Sequence, residues 1–160
     1  MNIGSCGLHT LHNAFKAGAL VTEWGIASLL CSLYYLFKDL PARREDYQKL
    51  AGNTIMPLKF VDHRWLENVP VSQRAFQMWD SVEFYAKKVQ SKQLPKPTNK
   101  SFDVASQAVK NKLIRAKLEL FSFIVTILQP FLANYQTDKP MVPFMVDDLI
   151  SCQMLDAESC

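Results

Sequence analysis

The residues best suited to chemistry are Arg64 and Trp65, which adjoin in the stretch Leu58–Pro70. An arginine guanidinium offers a planar fork of N–H donors to a phosphate, and a tryptophan offers a face on which a nucleobase stacks. The pair therefore fits contact with single-stranded or distorted DNA. The alternative is that Trp65 anchors the core while Arg64 pairs with Asp62 or Glu67.

A second group, Cys6, His9 and His12, recurs at every third residue near the start of the chain. Thiolate and imidazole are ligands that zinc prefers, but a closed site needs a fourth ligand, for which only His63 and Cys31 are candidates. Cys6 followed by His9 also has the spacing of a nucleophile and its base, without the strand–turn–helix elbow or oxyanion device expected beside one. We therefore expect no metal, no cofactor and no catalytic residue.

The elements that must position these residues are mostly helical. Apolar residues at helical spacing, with proline and glycine between the runs, predict a mainly α fold of about five to seven helices and at most one short strand near Leu58–Val61. Gly18 is expected to end the first helix, Thr22 to cap the second, and Pro130 to kink or end the sixth. The predicted helices are Cys6–Ala17, Glu23–Lys38, Ala42–Ala51, Pro70–Val89, Ser101 to about Asn111, Leu113–Leu128 and Asp147–Leu155.

The first helix has an apolar side with Phe15 and a polar side with His9. His9 is therefore expected outside the core. We predict that Leu58–Pro70 brings Arg64 and Trp65 beside this polar side.

Two other features concern packing. The second helix is apolar nearly all round, which predicts that it is buried centrally or covered by another protein. Phe76 and Phe84 fall outside the apolar arc of the long fourth helix, so that helix is expected to pack on more than one neighbour.

Charge is distributed unevenly over the 160 residues, whose net charge is +3. Lys87–Lys117 contains nine cations and one acid, a net charge of +8, and residues 138–160 carry a net charge of −4. A basic, proline-containing loop is expected over residues 91–100. The basic stretch fits a surface that faces nucleic acid, or alternatively a solvated helix face with a flexible lysine linker.

Composition also bounds the class of protein. The length fits a single helical domain over residues 1–160. The four cysteines lack the spacing of a disulfide framework, and no apolar signal sequence opens the chain, so we expect a nuclear or cytoplasmic protein rather than a secreted one. Gly25–Phe37 is too short for a membrane span, and the later apolar run is interrupted by Gln129 and Pro130. No membrane association is therefore expected.

Taken in order, these motifs resemble the start of the insertion domain of hAT-family DNA transposases and of proteins derived from them. The likeness lies in Cys6-x-x-His9, in Arg64-Trp65, and in Leu-Gln-Pro-Phe-Leu (residues 128–132) followed by Tyr-Gln-Thr-Asp-Lys-Pro (residues 135–140), and it runs over about Ile3–Leu149. In that family an α-helical insertion interrupts a ribonuclease-H-like domain. The resemblance implies that Cys6, His9, Arg64 and Trp65 lie near DNA.

The same resemblance argues against catalysis. The family cuts DNA with two aspartates before the insertion and a glutamate after it, and none of the three has a counterpart here. A two-metal site cannot form without its carboxylates. The expected function is thus a transposase-derived helical domain without catalysis of its own and with residual DNA binding. The alternatives are a helical module that binds a protein partner or a second copy of itself, and a gene remnant without function.

Overall fold

The computed structural model describes residues 7–135, which form six α-helices and one 3-10 turn. The mainly α class is thus confirmed, and within residues 7–135 the stretch Leu58–Val61 is not a strand. The predicted helix Asp147–Leu155 lies outside the described residues. The elements are α1 (Gly7–Val21), α2 (Ile26–Phe37), α3 (Pro41–Ala51), the 3-10 turn (Trp65–Glu67), α4 (Val69–Gln90), α5 (Lys100–Val109) and α6 (Ile114–Tyr135).

Helix α2 lies at the centre, as its apolar sequence predicted. It packs on α3, α4, α5 and α6, and Leu30, Leu33 and Leu36 are almost completely buried. Its Tyr35 nevertheless remains half exposed. Helix α4 also contributes to the core, because the predicted apolar arc from Val71 to Val89 is buried along its whole length.

Two helix boundaries differ from those predicted. Helix α1 runs through Gly18 to Val21, and α2 begins only at Ile26 rather than at Glu23. The reason is the backbone between them: Glu23 and Gly25 have positive φ angles of 53° and 67°, so the chain turns sharply there. The hydroxyl of Thr22 accepts from the Trp24 backbone N–H within this turn and does not cap α2.

Helix α6 also departs from its prediction, because it continues through Pro130 to Tyr135. Proline removes one backbone N–H and crowds the preceding turn, which costs a helix interior about 3 kcal/mol. Leu132, two residues beyond Pro130, is 2% exposed. Burial of this leucine offsets the cost and keeps the last turns in place.

Helix α4 packs on more than one neighbour, as predicted, since it contacts α2, α3, α5 and α6. Phe76 and Phe84, on which that prediction rested, nevertheless remain exposed. Their exposed fractions are 43% and 44%, and the Lys88 Nζ lies 5.2 Å from the centroid of the Phe84 ring. Isolated exposed aromatic residues of this kind are common on folded proteins.

Over residues 7–135 no single helix is long and apolar enough to cross a membrane. One bent pair, His9–Val21 with Ile26–Phe37, passes by length and composition, with an angle of 94° between its two parts.

Candidate functional site

The loop before α4 is held in shape by one buried side chain, Asn68. Its Oδ1 accepts from the Val61 backbone N–H at 2.8 Å. Its Nδ2 donates to the carbonyl oxygens of Val61, Arg64 and Trp65, each at 3.0 Å. The loop has no strand partner for these backbone groups, and Asn68 supplies the hydrogen bonds that buried backbone needs.

Trp65 is part of the core. Its residue surface is 3% exposed, and its ring meets those of Phe60, Phe15 and Phe121 at centroid distances of 5.4, 6.3 and 6.5 Å. The indole Nε1 donates to the Asp62 carboxylate at 3.3 Å. A nucleobase has no access to this indole face, so in this conformation Trp65 provides packing and not stacking.

Arg64 lies at the surface and is paired. Its Nη1 lies 3.3 Å from the Glu67 Oε1, and its side chain is 57% exposed. The alternative interpretation of the Arg64-Trp65 pair, a core tryptophan beside an ion-paired arginine, is therefore the one that the structure bears out.

Helix α1 contacts this loop, as predicted, through Lys16 and His12 rather than through His9. Lys16 Nζ lies 3.3 Å from the Asp62 Oδ2 and 5.7 Å from the centroid of the Trp65 ring. His12 is 7% exposed, and its Nδ1 accepts from the Leu66 backbone N–H at 3.3 Å. We call this region, residues 9–16 of α1 with residues 60–68, the junction.

The three histidines gather at the junction. Burial lowers the pKa of His12, and the nearby His9, Arg64 and His63 lower it further, while Glu67 opposes them. A neutral His12 retains the ring nitrogen lone pair that its bond to Leu66 needs. His9 is exposed, as the helix pattern predicted.

The residues considered as zinc ligands are not arranged as a metal site in the described part of the chain. Cys6 lies outside it, Cys31 is half-buried in α2, and the His12 Nδ1 is engaged with a backbone N–H. Between residues 7 and 135 no three His, Cys, Asp or Glu residues are arranged to hold a metal ion.

At pH 7 the junction carries little net charge, because Lys16 pairs with Asp62 and Arg64 with Glu67. The connection between α4 and α5, residues 91–99, is different. Lys92 and Lys96 lie on it and Lys100 opens α5; all three are exposed, and none forms an ion pair within residues 7–135. We call these three residues the lysine group.

A cavity borders the junction. Its volume is about 490 Å³, and its walls are mostly apolar, with Phe15, Trp24, Trp65, Phe121 and Ile124 among them. It opens where α1 turns into α2, next to the outer face of α6.

Comparison with protein-family models, curated proteins and solved structures finds no match to this chain. The resemblance to hAT transposases accordingly rests on the sequence motifs.

Sequence patterns offered little reason to single out Asn68 or Lys16, and they marked His12 as a candidate zinc ligand rather than as a hydrogen-bond acceptor. The one available signal was Asn68 just before a proline at the start of a helix, a common place for a capping side chain.

Proposed function

We propose that this chain is a transposase-derived helical domain, without catalysis of its own, that binds DNA through its phosphate backbone. The observation that supports the proposed DNA binding is the exposed lysine group. Three exposed ammonium groups without acidic partners in the described residues are a sequence-independent attraction for a polyanion.

The order of the Cys-x-x-His, Arg-Trp and Leu-Gln-Pro-Phe-Leu motifs supports the transposase origin. The resemblance names Arg64 and His9 as DNA-proximal, and both are exposed at the junction. In this proposal Arg64 exchanges its ion pair with Glu67 for a phosphate, whereas Trp65 contributes by holding the loop rather than by touching DNA.

The main experiment measures the affinity of the full chain for a duplex and for a hairpin DNA by fluorescence anisotropy between 50 and 200 mM salt, about the range over which phosphate contacts weaken strongly. The variant is Lys92→Gln/Lys96→Gln/Lys100→Gln. Each lost phosphate contact lowers the magnitude of the slope of log K against log salt by about 0.9, so the triple variant should lose roughly 2 to 3.

The matched control is Lys38→Gln/Lys59→Gln/Lys112→Gln, which removes the same charge from scattered exposed positions. We expect it to keep most of the affinity and of the salt slope. Equal weakening in both triple variants would show attraction by net charge alone, and absence of binding at low salt would overturn the proposal.

Arg64 tests the part of the proposal that comes from the resemblance. Arg64→Ala should weaken DNA binding, whereas Arg64→Lys should restore part of it by keeping the charge. Unchanged binding in Arg64→Ala would remove the junction from the DNA-binding surface and leave the lysine group.

A further inference from the structure

The outer face of α6 is apolar although it is not part of the core. The inner face is buried through Ile114, Leu118, Phe121 and Val125. A row of large apolar side chains is exposed along the outer face, beginning at Leu113, the residue before α6: Leu113 63%, Leu120 43%, Phe123 58%, Ile124 36% and Ile127 39%. We call this row, with Ala116 and Pro130, the α6 stripe.

The spacing of the α6 stripe is that of a helix–helix seam. Leu113, Leu120 and Ile127 recur every seven residues, and Ala116, Phe123 and Pro130 follow each of them by three. These are the two core positions of a heptad repeat, and a helix that presents them meets a second helix along one line.

The size of the exposed surface favours a partner. The five large side chains, with Leu20 at the rim of the neighbouring cavity, expose on the order of 500–600 Å² of apolar surface, the upper end for the largest patch on a monomer. A stable protein–protein interface buries about 800 Å² on each side, which the α6 stripe and its flanking residues approach.

We infer that the α6 stripe is the interface of a homodimer in which two α6 helices pack antiparallel. This goes beyond the proposed DNA binding, because it involves a different surface of the protein. We place the two helices in register so that the two-fold axis passes between residues 121 and 122.

The antiparallel register matches large side chains with smaller ones. Ala116 lies opposite Ile127 of the second copy, Leu120 opposite Phe123, and Leu113 opposite Pro130. Facing positions that alternate in size fill the space between two helices. A parallel pair would instead place Ala116 against Ala116 and Phe123 against Phe123, one layer with a void and one overpacked.

The test begins with the molecular mass of the full chain by analytical ultracentrifugation from about 1 to 100 μM, a range that covers the affinities of most specific dimers. The expected mass is twice the 18.3 kDa of one chain. Leu120→Glu/Phe123→Glu should weaken dimerisation at least 100-fold, because it would bury carboxylates without partners.

The control is Phe76→Glu/Phe84→Glu, which makes an equal change at two similarly exposed aromatic positions on α4. It should leave the dimer intact, and circular dichroism should show unchanged helix content in both variants. A wild-type monomer at 100 μM would overturn the proposal, since another protein or a segment of the same chain would then be the occupant. Equal disruption by the control would overturn it as well.

Orientation is tested with Ala116→Glu and Ile127→Lys, alone and together. In an antiparallel pair the double variant places each new glutamate opposite a new lysine, so it should dimerise more tightly than either single variant. In a parallel pair like charges meet, and the double variant should be the weakest. The second result would overturn the antiparallel register.

Discussion

The loop within the junction, residues 60–68, and the α4–α5 connection differ in almost every physical respect. At the junction, the side chain of Asn68 forms hydrogen bonds with the loop backbone, and Trp65 is buried in the core. Lys16 and Arg64 form ion pairs with neighbouring acids. The α4–α5 connection carries exposed lysines without acidic partners in residues 7–135.

The difference shows that the residues whose types best suit contact with DNA are not the ones whose side chains are exposed and unpaired. Arg64-Trp65 has the composition of a DNA contact, yet its tryptophan is 3% exposed and its arginine is paired. The lysines have simple chemistry, but their charge is available. Whether a side chain can bind a ligand depends on its burial and on its ion-pair partners, and both are determined by the neighbouring elements of the fold.

The largest expected effect is on the stability of the junction. Trp65→Ala should lower the free energy of unfolding by about 3–5 kcal/mol, because it leaves a cavity among three aromatic rings. Urea denaturation measures it. Phe76→Ala, at a site 43% exposed, is the control and should change stability by less than about 1 kcal/mol. A small loss in Trp65→Ala would contradict the view of the junction as core.

The pH dependence of the junction should be a smaller effect. Burial lowers the pKa of His12 below its usual 6.5, so the unfolded chain takes up a proton first as pH falls. The contribution of His12 to stability is therefore complete above the unfolded pKa and is lost as pH falls through 6.5 towards the folded pKa. Protonation also removes the acceptor for the Leu66 N–H, a bond that contributes about 1 kcal/mol.

Urea unfolding at pH 7.5, 6.5 and 5.5, values that about span the histidine titration, measures this effect. His12→Asn keeps an acceptor near the Nδ1 position without a titrating group, so its stability should depend less on pH. His9→Asn, at an exposed position, should keep most of the pH dependence, because burial is the largest cause of the lowered pKa of His12. If His12→Asn retained the full pH dependence, another group would be responsible for it.

The smallest effect is expected in the lysine group. Lys92→Gln/Lys96→Gln/Lys100→Gln should change the free energy of unfolding by no more than about 0.5 kcal/mol, since the three ammonium groups are solvated and make no ion pair in the described residues. Thermal unfolding checks it. A decrease of several kcal/mol in the free energy of unfolding would mean that the lysines of the α4–α5 connection contribute to stability as much as the residues of the junction do.

The sequence predicted most helices because apolar periodicity is a local signal, clearest in α4, where every residue of the expected arc is buried. It was less successful where a non-local contact decided the outcome. Pro130 predicted a kink or an end of α6, but the helix continues to Tyr135 because Leu132 is buried. Thr22 predicted a cap, and the left-handed turn at Glu23 and Gly25 moved the start of α2.

The same limit applies to the candidate site. Contact between α1 and the loop was predicted because the resemblance places Cys6, His9, Arg64 and Trp65 near the same DNA. The bonds themselves join residues far apart in sequence, such as His12 to Leu66 and Lys16 to Asp62. No local pattern encodes such pairs, and the burial that withdraws Trp65 from solvent is equally non-local.

One consequence follows from how α1 is attached. Within residues 7–135 it packs chiefly on the 3-10 turn, so most of its contact with the other described elements passes through the junction. A helix held at one place opens by local unfolding at lower free energy than the rest of the domain. Amide hydrogen exchange in α1 should accordingly be faster than in α4, and still faster at pH 5.5 after correction for intrinsic rates. Each opening would transiently give solvent access to the indole that the closed protein withholds.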